Sequence, residues 1–272
     1  MRLGYCANAW GGVYGHPVGV TSLKDSWYLT PGDTLATLRE VAAAGYEGVE
    51  LFDGNVAEFA EDLAVLSDGL DAAGLTLVGV YTGANLVYPE ILGEELWRVR
   101  QASRWAAELG AEHLVVGGGA QRSEPPTDAD YASLAAALDQ IAAIAEADGV
   151  LASFHPHLST IVESPDQVAR VFEDSRIAFC PDTGHLQAGG NDPVELVRQL
   201  RDRIHYVHIK DIDEAGGFVP LGEGVLDVAG VLEVLKETDF DGWLTAETDG
   251  WPGDPISGAR SCRARLRELL GQ

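Results

Sequence analysis

The chain has 272 residues, 46% of them hydrophobic and 22% charged, enough to bury a large core in one domain or two. Its net charge of −25 repels phosphate backbones and anionic headgroups, which speaks against nucleic-acid and membrane partners. No apolar run approaches the ~18–20 residues of a membrane span, the segment MRLGYCANAW is too short and too polar for a secretory h-region, and the odd, widely spaced Cys6, Cys180 and Cys262 fit reduced thiols in a cytoplasm.

Taken in order, RLGYCAN (2–8) reads as a strand, followed by a loop rich in Gly, Trp and Tyr. A helix is predicted over 30–45, with Thr30 or Asp33 as cap, Pro31 near its start and Gly45 at its stop. A strand over 47–52 leads to a helix over 57–73 closed by Gly74; a strand over 75–83 leads to a helix over 93–109 closed by Gly110. The strand at 112–119 precedes a helix at 128–149, and the strand at 150–157 precedes a helix at 164–174 capped by Ser164. The strand at 176–184 precedes a helix at 192–200, the strand at 203–211 a helix at 227–237, and the strand at 242–249 a helix at 256–270.

Short strands separated by helices of ten or more residues are the pattern of parallel pairing with crossover helices. Eight such units, at a spacing of roughly thirty residues, are the expected size of an α/β fold of the (β/α)8 TIM barrel type. A doubly wound open sheet would want GxGxxG after its first strand, and CANAWGGVYG is not that. The glycines of VVGGGAQ (115–121) run into RSEPPTD rather than into a helix, so a tight turn at the barrel rim is preferred over a phosphate cradle.

In such a barrel, function collects at the C-terminal ends of the strands. His155 and His157 follow the fifth strand, Asp182 and His185 the sixth, His208 lies in the seventh and Glu247 in the eighth. Strand side chains alternate faces, so Tyr206, His208 and Lys210 share one face while His205 shares the other with Val207 and Ile209. Thr245, Glu247 and Asp249 likewise share a face, as do His155 and His157. One residue from each of four successive strand ends gives His155, Asp182, His208 and Glu247 as metal ligands, a mixed N and O set suited to Mn, Co, Zn, Fe or Mg. Each of these residues alone is commonly structural, but two carboxylates buried together without a cation would be costly.

Trp10, Trp27, Tyr28 and Tyr81 are candidates to wall a small-molecule pocket with their ring faces, and Tyr14 and His16 to form a lid; core packing is the bland alternative for all of them. Glu50 ends the second strand, as a rim acid or as a ligand to a substrate hydroxyl. Lys210 has two readings: stabilising a developing negative charge on a bound molecule, or pairing with Asp211 or Glu247. His113 and His205 are read as structural, and Cys180 as a buried small hydrophobe.

Three stretches, CPDTGHLQAGGNDPVELVRQLRDRIHYVHIKDID (180–213), FVPLGEGVLDVAGVLEVLKETDFDGWLTAETD (218–249) and AAAGYEGVEL (42–51), carry a family likeness. With them the chain resembles, over nearly its whole length, the sugar phosphate isomerase/epimerase superfamily of xylose isomerase-like TIM barrels. Through HPHLSTIVES, DTGH and RIHYVHIKD it is most similar to inosose dehydratases. The resemblance implies a single barrel domain over 1–272 and one divalent ion, Mn or Co favoured, held by the residue at 155, Asp182, His208 and Glu247. It also implies that His185, His157, Lys210 and Glu50 meet the substrate. Many isomerases and epimerases of the superfamily carry Glu where His155 stands, and there two glutamates exchange protons on opposite faces of the substrate. Here only Glu247 remains of that pair, which favours elimination over epimerisation.

The implied chemistry is enolisation of an unphosphorylated keto sugar or cyclitol. The metal polarises the carbonyl, and His185, His157 or Glu247 removes the α proton. Protonation of the β-hydroxyl by a histidine or Lys210 gives dehydration, whereas reprotonation of carbon gives isomerisation or epimerisation. A phosphodiester-cleaving barrel is disfavoured by the net charge of −25 with only 18 basic residues. A non-catalytic sugar-binding barrel is disfavoured by the intact Asp182, His208 and Glu247. Homo-oligomerisation stays open.

Overall fold

A computed structural model describes residues 1–6, 27–249 and 253–272. Eight parallel strands form one sheet: β1 (Arg2–Cys6), β2 (Gly48–Phe52), β3 (Thr76–Ala84), β4 (His113–Gly118), β5 (Leu151–Phe154), β6 (Ala178–Phe179), β7 (Tyr206–Ile209) and β10 (Trp243–Ala246). Their order is β6-β5-β4-β3-β2-β1-β10-β7, with sequential strands adjacent and β1 pairing the last strand. The remaining gap, between β6 and β7, is closed by two parallel bridges, Phe179 with Ile204 and Asp182 with His208. This is the predicted (β/α)8 TIM barrel.

Around it lie α1 (Thr34–Ala43), α2 (Asp53–Ala57), α3 (Leu63–Ala73), α4 (Leu92–Glu108), α5 (Asp128–Asp148), α6 (Pro165–Asp174), α7 (Thr183–Ala188), α8 (Pro193–Gln199), α9 (Val228–Glu237) and α10 (Pro255–Leu270). Helix starts follow capping chemistry. Asp33 accepts from Ala36 N at 2.8 Å, which settles the choice between Thr30 and Asp33, and Gln167 Oε1 accepts from Ser164 N at 2.9 Å ahead of Pro165. Gly74 stops α3 with φ +67°, a left-handed turn that costs glycine nothing.

Strand alternation divides the core in two. Outward residues such as Val49, Leu51, Val207 and Ile209 pack against the helices, while Val78, Val115, Cys180, Tyr206 and Trp243 fill the barrel interior with Tyr81. Val78 and Tyr81 sit at positions of opposite parity yet both reach this inner cluster, because the β2–β3 register slips between Val49 and Glu50. His205 is exposed, and His113 is buried against Tyr206 with ring centroids 4.8 Å apart.

Three local readings are corrected. The helix predicted over 57–73 is two, α2 and α3, broken at Glu58–Asp62. The strand predicted over 176–184 forms a ladder only at Ala178–Phe179, and α7 opens at Thr183, because Asp182 caps it by accepting from His185 N at 2.9 Å. Between β7 and α9, a hairpin of β8 (Asp211–Ile212) and β9 (Phe218–Val219) was not anticipated.

Candidate metal centre

The four predicted ligands converge at the mouth of the barrel. His155 follows β5 directly, with its N–H donated to Val116 O at 2.9 Å, so the β4–β5 ladder sets its direction. Asp182 is held by its capping role, His208 N donates to Pro181 O at 2.9 Å, and Glu247 N donates to Ile209 O at 3.1 Å. Each side chain therefore leaves a backbone anchored by a neighbouring strand. Among the described residues, one donor atom from each of His155, Asp182, His208 and Glu247 lies within 4.8 Å of the other three, and all four residues are buried.

The geometry fits a divalent cation. His155 Nε2 is 3.4 Å and His208 Nδ1 3.8 Å from Asp182 Oδ2, and His208 Nδ1 is 2.9 Å from Glu247 Oε2. His208 Nδ1 thus faces the carboxylate oxygens of Asp182 and Glu247, the side from which a cation would be shared. The other nitrogen of the ring is occupied: His208 Nε2 lies 3.0 Å from Glu50 Oε2. Burial pulls the His208 imidazole down, yet Glu50 and Glu247 outweigh it and carry it up to about 10, so without a metal this ring has to be protonated between two carboxylates. A mixed imidazole and carboxylate set with an oriented histidine is a normal home for Mn, Co, Zn or Fe.

Lys210 lies beside the centre. Its ammonium is 2.8 Å from Asp249 Oδ1, 3.1 Å from Glu247 Oε1, 3.4 Å from Asp182 Oδ2 and 2.9 Å from His185 Nε2. Burial would lower it, but Asp182, Asp249 and Glu247 hold it well above the ordinary lysine value, so it stays charged. Burial and then the Lys210 charge push His185 well below the ordinary histidine value, so its imidazole is neutral. The ring of His157 lies 3.7 Å from that of His185, and its Nδ1 is 2.6 Å from Leu158 O.

The structure thus gathers His155, His157, Asp182, His185, His208, Lys210 and Glu247 into one place. Glu50 is placed differently from either expectation: it is fully buried with Oε2 against His208, so it stands behind a ligand rather than at a rim or against substrate. Tyr81 lines the mouth edge-on to His155, with ring centroids 5.7 Å apart, and Tyr28 packs on Tyr81 at 5.6 Å. Tyr81 reaches there because a Cβ on Gly117 would overlap its hydroxyl, which gives the glycine-rich turn its purpose. Trp27 instead packs on Trp105 and Trp97 of α4 at 5.2 and 6.5 Å, outside the barrel. Trp10, Tyr14 and His16 lie outside the described residues.

Two participants were missed by sequence reading. Asp249 shares the face of Glu247, and that parity was the available signal for its contact with Lys210. Phe218, on β9, places its ring 5.0 Å from that of His185; nothing in its local pattern announces this.

Comparison with known proteins agrees with the fold. The model of the xylose isomerase-like TIM barrel family matches residues 38–269. An inosose dehydratase of Geobacillus kaustophilus (strain HTA426) is 28% identical over 269 residues, covering 86% of each chain. Among solved structures, the IOLI protein with a bound zinc atom superposes with a TM-score of 0.79 at 16% identity, over 100% of this chain and 98% of that one. The 3-keto-D-glucoside 4-epimerase YcjR from E. coli in its apo form gives 0.76 at 17% identity, over 98% and 99%.

Proposed function

This chain belongs to the xylose isomerase-like TIM barrel family, and we propose that it is a divalent-metal-dependent lyase that enolises a keto cyclitol and eliminates water from it, as an inosose dehydratase would. The observation that carries this reading is the joining of two things at one mouth: a four-donor cation site, and a close pair of histidine rings whose hydrogen bonds leave the lone pair of one and the N–H of the other for substrate. Similarity to the Geobacillus inosose dehydratase over 86% of the chain supports the choice of substrate class.

The ion would be held by His155, Asp182, His208 and Glu247, and when bound it supplies Lewis-acid polarisation of a carbonyl and its neighbouring hydroxyl. The rest is the work of the chain's own groups. His157 donates its Nδ1 proton to Leu158 O, so its Nε2 carries the lone pair and serves as the base for the α proton. His185 accepts at Nε2 from the Lys210 ammonium, so its proton is on Nδ1, the atom that is buried without a hydrogen bond among the described residues. His185 gives that proton to the departing β-hydroxyl and is refilled at Nε2 by Lys210. One proton and one hydroxyl leave the substrate as water; His157 then returns its proton to solvent, the Nε2 proton of His185 goes back to Lys210, and His185 Nδ1 takes one from solvent. Glu247, engaged by His208 and Lys210, serves as ligand in this scheme rather than as base.

The substrate is an uncharged polyol rather than a phosphorylated one. The cation of this centre, Lys210, already faces Asp182, Glu247 and Asp249, so a phosphate dianion would meet carboxylates. The deciding experiment incubates the Mn- or Co-loaded protein with an inosose in deuterium oxide. Deuterium wash-in followed by growth of enone absorbance supports elimination. Wash-in with isomer formation and no enone transfers the assignment to an isomerase or epimerase, and absence of exchange with either metal refutes enolisation.

A further inference from the structure

The β7–α9 connection is more highly built than a linker needs to be. Asp211, buried immediately after Lys210, accepts four backbone N–H groups: Ile212 at 2.9 Å and Leu226 at 3.1 Å on Oδ1, Gly222 at 2.9 Å and Gly224 at 3.1 Å on Oδ2. One carboxylate thereby gathers both ends of the connection. Asp213 closes the hairpin tip, accepting from Ala215 N and Gly217 N at 2.9 Å, and Gly216 takes φ +84° there. Asp211 pairs with Val219 and Ile212 with Phe218, which sets the direction of the Phe218 ring.

That ring is delivered onto the catalytic pair. Its centroid is 5.1 Å from Lys210 Nζ and 5.0 Å from the His185 ring at 69°. A Cβ on Gly184 would lie 3.0 Å from Phe218 Cε1 and 2.7 Å from Lys210 Cβ, so the approach exists only because α7 carries glycine there. Phe218 also completes a series. Rings follow one another from Phe52 to Tyr81 at 5.2 Å, Tyr81 to His155 at 5.7 Å, His155 to His185 at 5.6 Å and His185 to Phe218 at 5.0 Å. Hydrocarbon rings stand at both ends of this arc, and the imidazoles lie between them.

We propose that Phe218 is a specificity-determining wall that selects a cyclic polyol by covering its C–H face, and that Asp211 is the positioning residue that holds this wall over Lys210 and His185. The proposal rests on the reading of the centre as one that handles a polyhydroxylated ketone. A flat aromatic face gains most from a closed ring whose hydroxyls project at its edge and whose C–H bonds form an apolar face. An open-chain ketose presents no such continuous face. The same ring keeps water from the ammonium it covers.

Two measurements on the metal-loaded full chain test this. In the first, kcat and KM are measured for an inosose and for erythrulose, a ketose too short to close a stable hemiketal ring, as an open-chain comparator. Phe218→Ala raises KM for the inosose about tenfold with kcat within about threefold, lowering its preference over erythrulose about tenfold, and Phe218→Tyr restores both. Asp211→Asn shifts KM in the same direction with the bound metal content unchanged. In the second, reductive methylation with ¹³C-formaldehyde is followed by NMR; the chain has only three lysines, Lys24, Lys210 and Lys236. Lys210 reacts at least about tenfold more slowly than Lys236 in the parent protein, and Phe218→Ala removes most of that protection. A preference for the inosose within twofold of the parent, or unchanged protection of Lys210 in Phe218→Ala, overturns the proposal. A parent protein that turns over neither compound refutes the function proposed above, and the labelling result then decides the wall by itself.

Discussion

Glu50 Oε2 lies 3.0 Å from His208 Nε2, and this one contact decides which nitrogen of the imidazole turns toward the other three ligands. The carboxylate lies midway along β2 and the ring sits on β7, so the orientation of a ligand is set from across the barrel. Burial raises the Glu50 carboxyl, but His208 outweighs it and holds it below the ordinary glutamate value, so the partner is an anion. Glu50→Gln keeps the shape and weakens the contact. Mn affinity is expected to fall about 10–100-fold with the fold intact, as titration followed by EPR would show. Unchanged affinity would mean that Glu50 does not orient His208.

Metal removal is expected to soften the protein. An ion present at about 100 times its Kd stabilises the native state by about 2.7 kcal/mol, roughly 5–8 °C in Tm for a chain of this size. Chelation should lower Tm by that amount and added Mn or Co should restore it. Glu247→Gln should abolish both the shift and turnover, and a variant that retained either would remove Glu247 from the ligand set.

Lys210→Met separates chemistry from metal retention. It deletes an ammonium 3.1 Å from Glu247 and 3.4 Å from Asp182, so cation affinity is expected to be retained or to rise. Turnover is expected to drop about 10²–10⁴-fold, because His185 loses its source of protons. Loss of metal in this variant, measured by elemental analysis, would assign Lys210 a supporting role instead.

His113 gives the fold an acid weakness. Burial lowers its imidazole from 6.5 to about 4, and its Nδ1 has no hydrogen-bond partner among the described residues. The native state therefore excludes a proton that the unfolded chain accepts. Stability is complete above about pH 6.5 and is lost as the pH falls toward 4, by about 3 kcal/mol in full. His113→Phe preserves the stack on Tyr206, and its stability relative to the parent should improve by about that amount between pH 7.5 and 4.5 in urea titrations. A pH-independent difference would show that His113 titrates normally.

Much of this was legible because it depends on alternation. The parity of RIHYVHIKD and LTAETD aims His208, Lys210 and Glu247 inward whatever the rest of the chain does, and the barrel makes the ends of consecutive strands neighbours. What alternation cannot see was missed. Asp182 acts as a helix cap as well as a ligand, so the strand before it ends early. The role of Glu50 depends on a contact 158 residues away in sequence, and that of Phe218 on a loop folded by the four amides around Asp211. Trp27 shows the reverse error: an aromatic beside the first loop, it finds its partners on α4.

Seven of the eight junctions between neighbouring strands of the barrel are paired ladders; the eighth, from β6 to β7, has two isolated bridges, and one of them joins Asp182 to His208. The ligands thus straddle the weakest seam of the cylinder. A cation gripped by both would act as a rivet across that seam, so that losing it would loosen the wall exactly where substrate has to be held still.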